Sequence, residues 1–172
     1  MSAPTIRRAT ERDLSAISVI YNHAVLHTTA TYDYEPEMLD RRVAWFEEHR
    51  TLQLPVFIAE QSGSVVGWSS LSPFHRRPGF RFTVENSIYI AEPHRGKGIG
   101  GLLLAPLIQE ATTLRLRSII AAIDASNSVS VRLHEKFGFR EIGRFPAVGY
   151  KFDRWLDVAY LQREVNTGDV AS

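Results

Sequence analysis

Seven residues near the middle of the chain have the composition of an anion-binding loop. Residues 95–101 read Arg-Gly-Lys-Gly-Ile-Gly-Gly, and they follow a strand-like apolar run, Ser87-Ile88-Tyr89-Ile90. Four glycines within six positions leave the backbone amides uncovered, and a leucine-rich helical pattern begins directly behind them. Unpaired N–H groups at a helix N-terminus, together with the positive end of the helix dipole, bind anions. The spacing therefore predicts a loop that holds a phosphorylated small molecule.

Two nucleotide-binding motifs share part of this pattern. Gly96, Gly98 and Gly101 match G-x-G-x-x-G formally, and Asp124 falls where a ribose-binding carboxylate would stand in a dinucleotide fold. The loop, however, lies past the middle of the chain, and too little sequence follows it to complete a doubly wound sheet. A P-loop is excluded because no Ser or Thr follows Gly-Lys at the required position. A nicotinamide enzyme therefore ranks last among the alternatives.

The composition describes one globular domain of balanced charge. The 172 residues are 44% hydrophobic and 23% charged, with a formal net charge of +1. This length allows one domain with a substantial core, and the balanced charge argues against a dedicated nucleic-acid or membrane-surface protein. The chain has no cysteine, which excludes disulfides, a cysteine nucleophile and thiolate metal ligands. We expect a cytoplasmic protein with no metal at its site.

Apolar periodicity places these residues on a framework of alternating strands and helices. The predicted order is β-α-α-β-β-β-α-β-α-β-β, an α/β (α+β) fold with a mixed central sheet flanked by about four helices. Thr10 and Asp13 start the first helix, and Pro36 is expected in the first turn of the second. We expect one domain over residues 1–165 and a disordered tail over 166–172. Later strands are expected at 56–60, 65–71, 83–90, 118–123, 139–145 and 150–163, and later helices at 98–114 and 126–137.

A second motif further along the chain combines with the loop into a known pattern. Asn127, Ser130 and the run Leu133-His134-Glu135-Lys136-Phe137-Gly138-Phe139 follow an apolar strand behind the glycines. Together with the Arg-x-x-Gly-x-Gly pattern of residues 95–100, this order closely resembles the GNAT acetyltransferase superfamily, whose loop binds the pyrophosphate of acetyl-CoA. Residues 20–25, 83–90, 133–135 and 149–158 look like its phosphinothricin / methionine sulfoximine N-acetyltransferase branch. The similarity runs from about Ile6 to Val165.

The resemblance implies acetyl-CoA as co-substrate and direct transfer of its acetyl group to an amine. Glu85 stands where the family places its general base, and a mild base suffices because an α-amino group titrates near about 7.7–8.0. Taken alone, Glu85 would fit a solvated carboxylate or an ion pair with Arg81. His134 stands where many members have a tyrosine that protonates the leaving thiolate. It is that acid, or part of the proton route from the amine, or a packed helix residue.

The resemblance also assigns the acetyl-CoA contacts. In the absence of a metal cluster, backbone amides of residues 88–90 are expected to stabilise the oxyanion, and the same strand edge pairs with the pantetheine arm. Lys97 adds charge near the pyrophosphate or simply faces solvent. The residues expected to bind acetyl-CoA are Ile88, Tyr89, Ile90, Arg95, Gly96, Lys97, Gly98, Ile99, Gly100, Gly101, Asn127 and Ser130.

The basic stretch of residues 72–82 is expected to select the acceptor. Arg81 lies four residues before Glu85 in the Gly79-Phe80-Arg81 context of the family, and a guanidinium binds a carboxylate with two hydrogen bonds. Tyr32 is a candidate for the pocket wall, with core packing as the alternative. The run Phe74-His75-Arg76-Arg77-Pro78 departs from the family's aromatic and acidic run. The acceptor is therefore open among phosphinothricin, methionine sulfoximine, methionine sulfone and other amines.

The resemblance leaves three functions to weigh. The first is an N-acetyltransferase that acts on a small amino acid or analogue. The second keeps the fold but acetylates a protein N-terminus or another amine. The third is a CoA-binding module without catalysis, against which Glu85 and the full cofactor motif argue. Family members commonly form dimers, so we expect a homodimer whose partners include a small-molecule amine.

Overall fold

The computed structural model describes residues 3–166, which form four helices and seven strands. Asn166 is held by hydrogen bonds, since its Nδ2 donates to the carbonyl of Leu116 at 2.6 Å and its own carbonyl accepts from Arg117 at 2.6 Å. The rest of the predicted tail lies outside the described residues. The helices are α1 (Leu14–His27), α2 (Leu39–Thr51), α3 (Ile99–Thr113) and α4 (Ser128–Lys136). The strands are β1 (Thr5–Arg8), β2 (Val56–Gln61), β3 (Ser64–Pro73), β4 (Thr83–Ile90), β5 (Ser118–Asp124), β6 (Arg140–Lys151) and β7 (Arg154–Glu164).

The strands form one mixed sheet in the order β1-β2-β3-β4-β5-β7-β6. The pairs β1–β2, β2–β3, β5–β7 and β6–β7 are antiparallel, whereas β4 and β5 are parallel. The parallel pairing covers three residue pairs, Thr83–Glu85 opposite Ser118–Ile120. The predicted α/β class, with a mixed sheet and four helices, is confirmed. Within residues 3–166, no helix is long and apolar enough to cross a membrane.

The chain divides into two compact units, and β3, β4 and α3 each contribute to both. The first unit contains the residues up to Ser70 together with Ile88–Leu104. Its core forms where α1 and α2 pack on β2 and β3, with side chains at helical spacing meeting alternate strand residues. Trp68 is its largest fully buried side chain. The cluster contains Leu14, Ile17, Ile20, Phe46, Val56, Ile58 and Trp68.

The second unit contains Leu71–Ser87 and the residues from Ala105 onward. The start of β4 alternates between buried and more exposed positions, as expected for a strand with one packed face, whereas β5 is buried along nearly its whole length. Val84, Ile119 and Leu161 are almost fully buried on that face. The edge strand β6 differs, because it is exposed along nearly its whole length.

Two local predictions about element boundaries were wrong. The second helix begins at Leu39 rather than near Pro36, because the side chain of Asn22 bonds both the N–H and the C=O of Glu37 and holds that residue in the preceding loop. The last hairpin turns later than expected. Phe152 (φ 51°) and Asp153 (φ 57°) both adopt the left-handed conformation that a two-residue type I′ turn requires. A register shift between Phe145 and Gly149 lets β6 continue past Pro146.

Candidate active site

The glycine loop in the first unit has the geometry of a main-chain anion site. Gly96 (φ +72°) and Gly98 (φ +80°) lie in the left-handed region, which glycine adopts without strain. No atom lies within 4 Å of a Cβ added at either position, so the conformation and not the space requires glycine. The loop is exposed, and α3 begins directly behind it at Ile99. Its amides are therefore open to an anion such as a pyrophosphate.

The two cationic residues of the loop are anchored to the main chain. Arg95 donates from Nε to the carbonyl of Ile90 at 3.1 Å, and Lys97 donates from Nζ to the carbonyl of Pro93 at 2.8 Å. Both side chains remain exposed. These bonds hold positive charge beside the glycine amides, where it adds to the positive potential of the helix N-terminus that attracts an anion.

Gly67 on β3 is a site residue that the sequence interpretation missed. A Cβ at Gly67 would lie 2.8 Å from Cδ1 of Ile90 and 3.0 Å from the carbonyl oxygen of Tyr89. Glycine thus lets β3 approach the end of β4 closely, and a larger residue would push away the strand that leads into the loop. An isolated glycine inside a strand pattern is the signal that could have identified it.

The end of β4 in the first unit carries Ile88, Tyr89 and Ile90, which lie beyond the three pairs formed with β5. Tyr89 stacks on Trp68 with ring centroids 4.8 Å apart. The next residue, Ala91, donates its N–H to the carbonyl of Val66 at 2.9 Å. The side chains and β3 therefore fix this strand end, while its backbone is what the predicted acetyl-CoA contact would use.

Glu85 in the second unit is a half-buried carboxylate with no hydrogen bond or ion pair to any described residue. The predicted alternative, an ion pair with Arg81, is not formed within residues 3–166. Burial raises the pKa of the Glu85 carboxyl above its ordinary value. Glu85 lies opposite Ile120 on β5, and its negative charge helps raise the pKa of Tyr160 on β7. A carboxylate without a partner and with a raised pKa suits a general base.

His134 in the second unit is buried, with 3% of its surface exposed. Its Nδ1 lies 2.8 Å from the carbonyl oxygen of Ser130 and its Nε2 lies 2.9 Å from Nδ2 of Asn86. Because a carbonyl only accepts, Nδ1 carries the proton and Nε2 accepts from Asn86. Burial lowers the pKa of His134 and favours this neutral form. Both ring nitrogens are thus engaged.

Glu85 and His134 belong to opposite faces of the sheet in the second unit. Successive side chains of a strand point to opposite faces, so Glu85 and Asn86 diverge, and His134 contacts Asn86. The side-chain amide oxygen of Asn86, Oδ1, is buried and has no hydrogen-bond partner among the described residues. Because the two side chains lie on opposite faces, a proton cannot pass directly between Glu85 and His134.

Asn127 and Ser130 begin α4. Oδ1 of Asn127 caps the helix by accepting the N–H of Ser130 at 3.1 Å. The carbonyl of Ser130 holds His134. Asp124, the carboxylate that a dinucleotide fold would need, is buried and accepts from the N–H and Oγ of Ser126. Its role is to form the turn into α4.

The predicted acceptor residues lie on two loops, one in each unit. Residues 78–80 of the second unit form a short 3-10 turn, and Gly79, Phe80 and the following Arg81 are exposed. The Arg81 guanidinium lies 4.4 Å from the ring centroid of Phe82. In the first unit Tyr32 is 37% exposed, so part of its side chain is open to solvent. Among residues 3–166, no three His, Cys, Asp or Glu side chains are grouped to hold a metal ion.

A model of the acetyltransferase (GNAT) family matches residues 19–139 of the chain. The protein belongs to the GNAT family. The predicted resemblance is therefore confirmed, and the glycine loop, β4 and α4 all fall within the matched residues.

Relatives of this GNAT protein match nearly its whole length. A methionine sulfoximine / methionine sulfone acetyltransferase of Salmonella typhimurium is 42% identical and aligns over 94% of this chain and 95% of its own. A solved acetyltransferase from Salmonella typhimurium with its cofactor acetyl-CoA is 40% identical, covers 99% of both chains and superposes with a TM-score of 0.97. A phosphinothricin acetyltransferase from Sinorhizobium meliloti in complex with acetyl-CoA is 36% identical, with coverage of 99% and 93% and a TM-score of 0.95.

Proposed function

We propose that this GNAT protein is an acetyl-CoA-dependent N-acetyltransferase of small amino acids or their analogues, with Glu85 as general base. The observation that carries the proposal is the half-buried Glu85 carboxylate, which has a raised pKa and no partner among residues 3–166. The full-length relatives that act on methionine sulfoximine, methionine sulfone or phosphinothricin support this acceptor class. An α-amino acid of this kind presents both the amine and a carboxylate to the protein.

In the proposed reaction Glu85 accepts a proton from the ammonium group of the acceptor. The neutral nitrogen forms a bond to the acetyl carbonyl carbon, and the carbonyl electrons move to oxygen. Backbone N–H groups of residues 88–90 stabilise the resulting oxyanion. Collapse breaks the carbon–sulfur bond and releases the thiolate of CoA, and the second amine proton leaves the nitrogen and protonates that thiolate by way of solvent. The products are the acetylated amine and CoA.

The proposed acetyl-CoA contacts divide between main chain and side chains. In the first unit the amides of residues 96–100 take the pyrophosphate, with Arg95 and Lys97 beside them, while Gly101 donates its N–H to the carbonyl of Gly98 in the first turn of α3. The positive φ angles and exposed amides fit that group. In the second unit Asn127 retains its Nδ2 group for a ligand, because the helix cap uses only its Oδ1. Ser130 offers its hydroxyl.

For His134 we propose that positioning outweighs acid catalysis. In the neutral form that these contacts favour, its Nε2 lone pair accepts from Asn86 and has no proton to give to a thiolate. His134 therefore holds Asn86 on the strand next to Glu85. A His134→Gln variant that keeps wild-type turnover at every pH would favour this role, whereas loss of the basic limb of the pH–rate profile would assign His134 as the acid.

We propose that Arg81 and Tyr32 recognise the acceptor, with Gly79 and Phe80 shaping the loop. The Arg81 guanidinium stacks on Phe82 and has no carboxylate partner in the described part of the chain. Its paired N–H groups are therefore available to bind an acceptor carboxylate. An Arg81→Lys variant is expected to raise the KM of the amino acid while that of acetyl-CoA stays unchanged.

The proposal is tested by following CoA thiol release with methionine sulfoximine, methionine sulfone, phosphinothricin and a peptide with a free N-terminus. Saturable turnover of one of the three amino acids, and its loss in Glu85→Gln, is the expected result. Glu135→Gln is the matched control because Glu135 is an exposed carboxylate on α4. Turnover of the peptide alone would favour the protein N-terminus alternative. Binding of acetyl-CoA without any thiol release would favour the non-catalytic module.

We also propose a homodimer in which β6 contributes to the contact. Its exposed apolar side chains include Phe145 (53% exposed) and Val148 (55%), and the paired strand adds Trp155 (66%). A long, exposed, apolar edge strand tends to pair with strands of other chains and to aggregate unless a partner covers it. Light scattering is expected to give twice the chain mass, and Trp155→Ser is expected to shift it toward the monomer. Val19→Ser, which removes an equally exposed side chain from α1, is the control.

A cytoplasmic location is part of the same proposal, because acetyl-CoA is made and consumed inside the cell. Cell fractionation with antibody detection checks it, and recovery in the membrane fraction would contradict it.

A further inference from the structure

The connection between α1 and α2 is long and irregular, yet it is held in place. Residues 28–38 contain no helix or strand. Connections of this length without secondary structure are commonly mobile or functional. Here Thr31 is only 7% exposed, whereas its neighbour Tyr32 is 37% exposed. The loop therefore buries one residue as an anchor and presents the next one to solvent.

The first anchor is a closed ring of hydrogen bonds around the hydroxyl of Tyr21 on α1. That hydroxyl donates to Oδ2 of Asp33 at 2.6 Å and lies 2.9 Å from Oγ1 of Thr31. The N–H of Asp33 points to Oγ1 of Thr31 at 3.4 Å. Burial and the bond to Asp33 raise the pKa of Tyr21 to about 12, so the hydroxyl keeps its proton. Thr31 must then donate to Tyr21, which fixes the direction of every bond in the ring.

The second anchor is formed by the next residue of the same helix. Nδ2 of Asn22 donates to the carbonyl of Glu37 at 3.0 Å, and Oδ1 of Asn22 accepts the N–H of Glu37 at 2.9 Å. The Glu37 carboxylate forms a buried ion pair with Arg42 of α2. Both ends of the loop are therefore fastened to helices that pack in the core of the first unit.

Aromatic rings and a guanidinium group pack around the first anchor. The Arg42 guanidinium lies 4.7 Å from the ring centroid of Tyr21 and 5.1 Å from that of Trp68. Tyr89 meets Tyr21 edge-on at 5.3 Å, and its hydroxyl donates to the carbonyl of Ala30 at 3.2 Å. The Tyr21 ring is thus fixed by packing, so loss of its hydroxyl alone leaves the ring in place. This makes the hydroxyl a separable element.

We propose that Tyr21 is a positioning residue for acceptor recognition, whose hydroxyl fixes Thr31 and Asp33 and thereby the side chain of Tyr32 between them. The inference rests on the proposed function, which places Tyr32 against the acceptor amino acid. Tyr21 itself touches neither substrate. Its contribution is preorganisation, because a loop already ordered before binding loses less entropy when the acceptor arrives.

The test is steady-state kinetics of Tyr21→Phe with both substrates varied. We expect the KM of the acceptor to rise by about tenfold, the size of one lost bond to a charged group. The KM of acetyl-CoA and kcat are expected to stay within about twofold of wild type, since the glycine loop and Glu85 are unaltered. Thr31→Val, which removes the other hydroxyl of the ring, is expected to act in the same direction. Thr113→Val is the control, because that hydroxyl bonds only within α3.

Tyr32→Ala separates failure of this inference from failure of the proposed function. A raised acceptor KM in Tyr32→Ala, combined with wild-type values in Tyr21→Phe and Thr31→Val, would overturn the positioning role and leave the acceptor site standing. An unchanged KM in Tyr32→Ala would overturn the acceptor role of Tyr32 and the inference with it. Equal losses for both substrates in Tyr21→Phe would show a general folding effect and would also overturn it. Should Tyr21→Phe not fold, Thr31→Val decides.

Discussion

Strand β4 carries two kinds of site within eight residues. Its first five residues belong to the second unit, where side chains matter: Glu85 has no partner, and Asn86 holds His134. Its last three residues belong to the first unit and lead into the glycine loop, where the main chain is exposed and the glycines have positive φ. The end of β4 that leads into the glycine loop therefore depends on backbone conformation, and the beginning of β4 depends on side-chain chemistry. Substitutions in the two should fail in different ways.

Removal of the Glu85 carboxylate should give the largest effect. Glu85→Gln keeps the shape of the side chain but removes the base, so kcat is expected to fall by about 10² to 10⁴. The affinity for acetyl-CoA, measured by calorimetry, is expected to stay unchanged because Glu85 is not among the proposed acetyl-CoA contacts. A parallel loss of acetyl-CoA affinity would break the distinction between the two regions.

Addition of a Cβ in the glycine loop should give the second largest effect, and it should affect only the binding of acetyl-CoA. Gly98→Ala forces alanine to φ +80°, and the KM for acetyl-CoA is expected to rise by about tenfold, with kcat little changed. Gly63→Ala is a matched control, because Gly63 has φ +77° and equally open space in the hairpin between β2 and β3. Both variants are expected to lose similar thermal stability. Equal effects of the two on the KM would show that strain in general, and not the loop, is responsible.

The pH dependence of stability should distinguish the two buried groups of the second unit. Burial lowers the pKa of His134 below its ordinary 6.5, so its contribution to stability is present above pH 6.5 and is lost as the pH falls through the folded value. Burial raises the pKa of Glu85, which acts in the opposite sense as its protonation at low pH stabilises the fold.

We therefore expect the melting temperature of the wild type to fall more between pH 7 and pH 5 than that of His134→Gln. The two falls in melting temperature should differ by about 2–4 °C for each kcal/mol of unfolding free energy that neutral His134 contributes, in a chain of this size. Identical slopes in the two proteins would mean that His134 is charged in the folded state, contrary to the contacts described for it.

The smallest effect is expected at Lys97. Its ammonium group is exposed and bonds a main-chain carbonyl, so Lys97→Ala should raise the KM of acetyl-CoA by about threefold or less. An effect as large as that of Gly98→Ala would show that side-chain charge, rather than backbone conformation, holds the pyrophosphate in this unit.

The sequence predicted the elements that local patterns control. Thr10 and Asp13, predicted to start the first helix, form a capping box on the 3-10 turn that leads into α1, and the glycines of the loop have the expected open conformation. The start of α2 was mispredicted because the side chain of Asn22, fifteen residues earlier, holds Glu37. No local pattern encodes such a contact. The role of Gly67 was missed for a different reason: an isolated glycine in a strand marks the position, but only the approach of Ile90 shows why glycine is needed there.

The motifs identified the functional residues, but they did not predict the burial or the hydrogen-bond partners of those residues. The resemblance pointed to Glu85 and His134, but residue type alone could not show that one lacks a partner and the other is fully bonded. Burial and partners arise from the register of β4 with β5 and from the approach of α4. The directions of the two pKa shifts follow from that packing.

The most direct test of the central claim is the ratio of wild-type to Glu85→Gln turnover as a function of pH. If Glu85 removes the proton from the acceptor ammonium, the ratio should be large near neutral pH. It should shrink steadily as the pH rises past the pKa of the free amine, because solution then supplies the neutral nucleophile. A ratio that stays constant across this range, or one close to unity throughout, would contradict the role of Glu85 as general base.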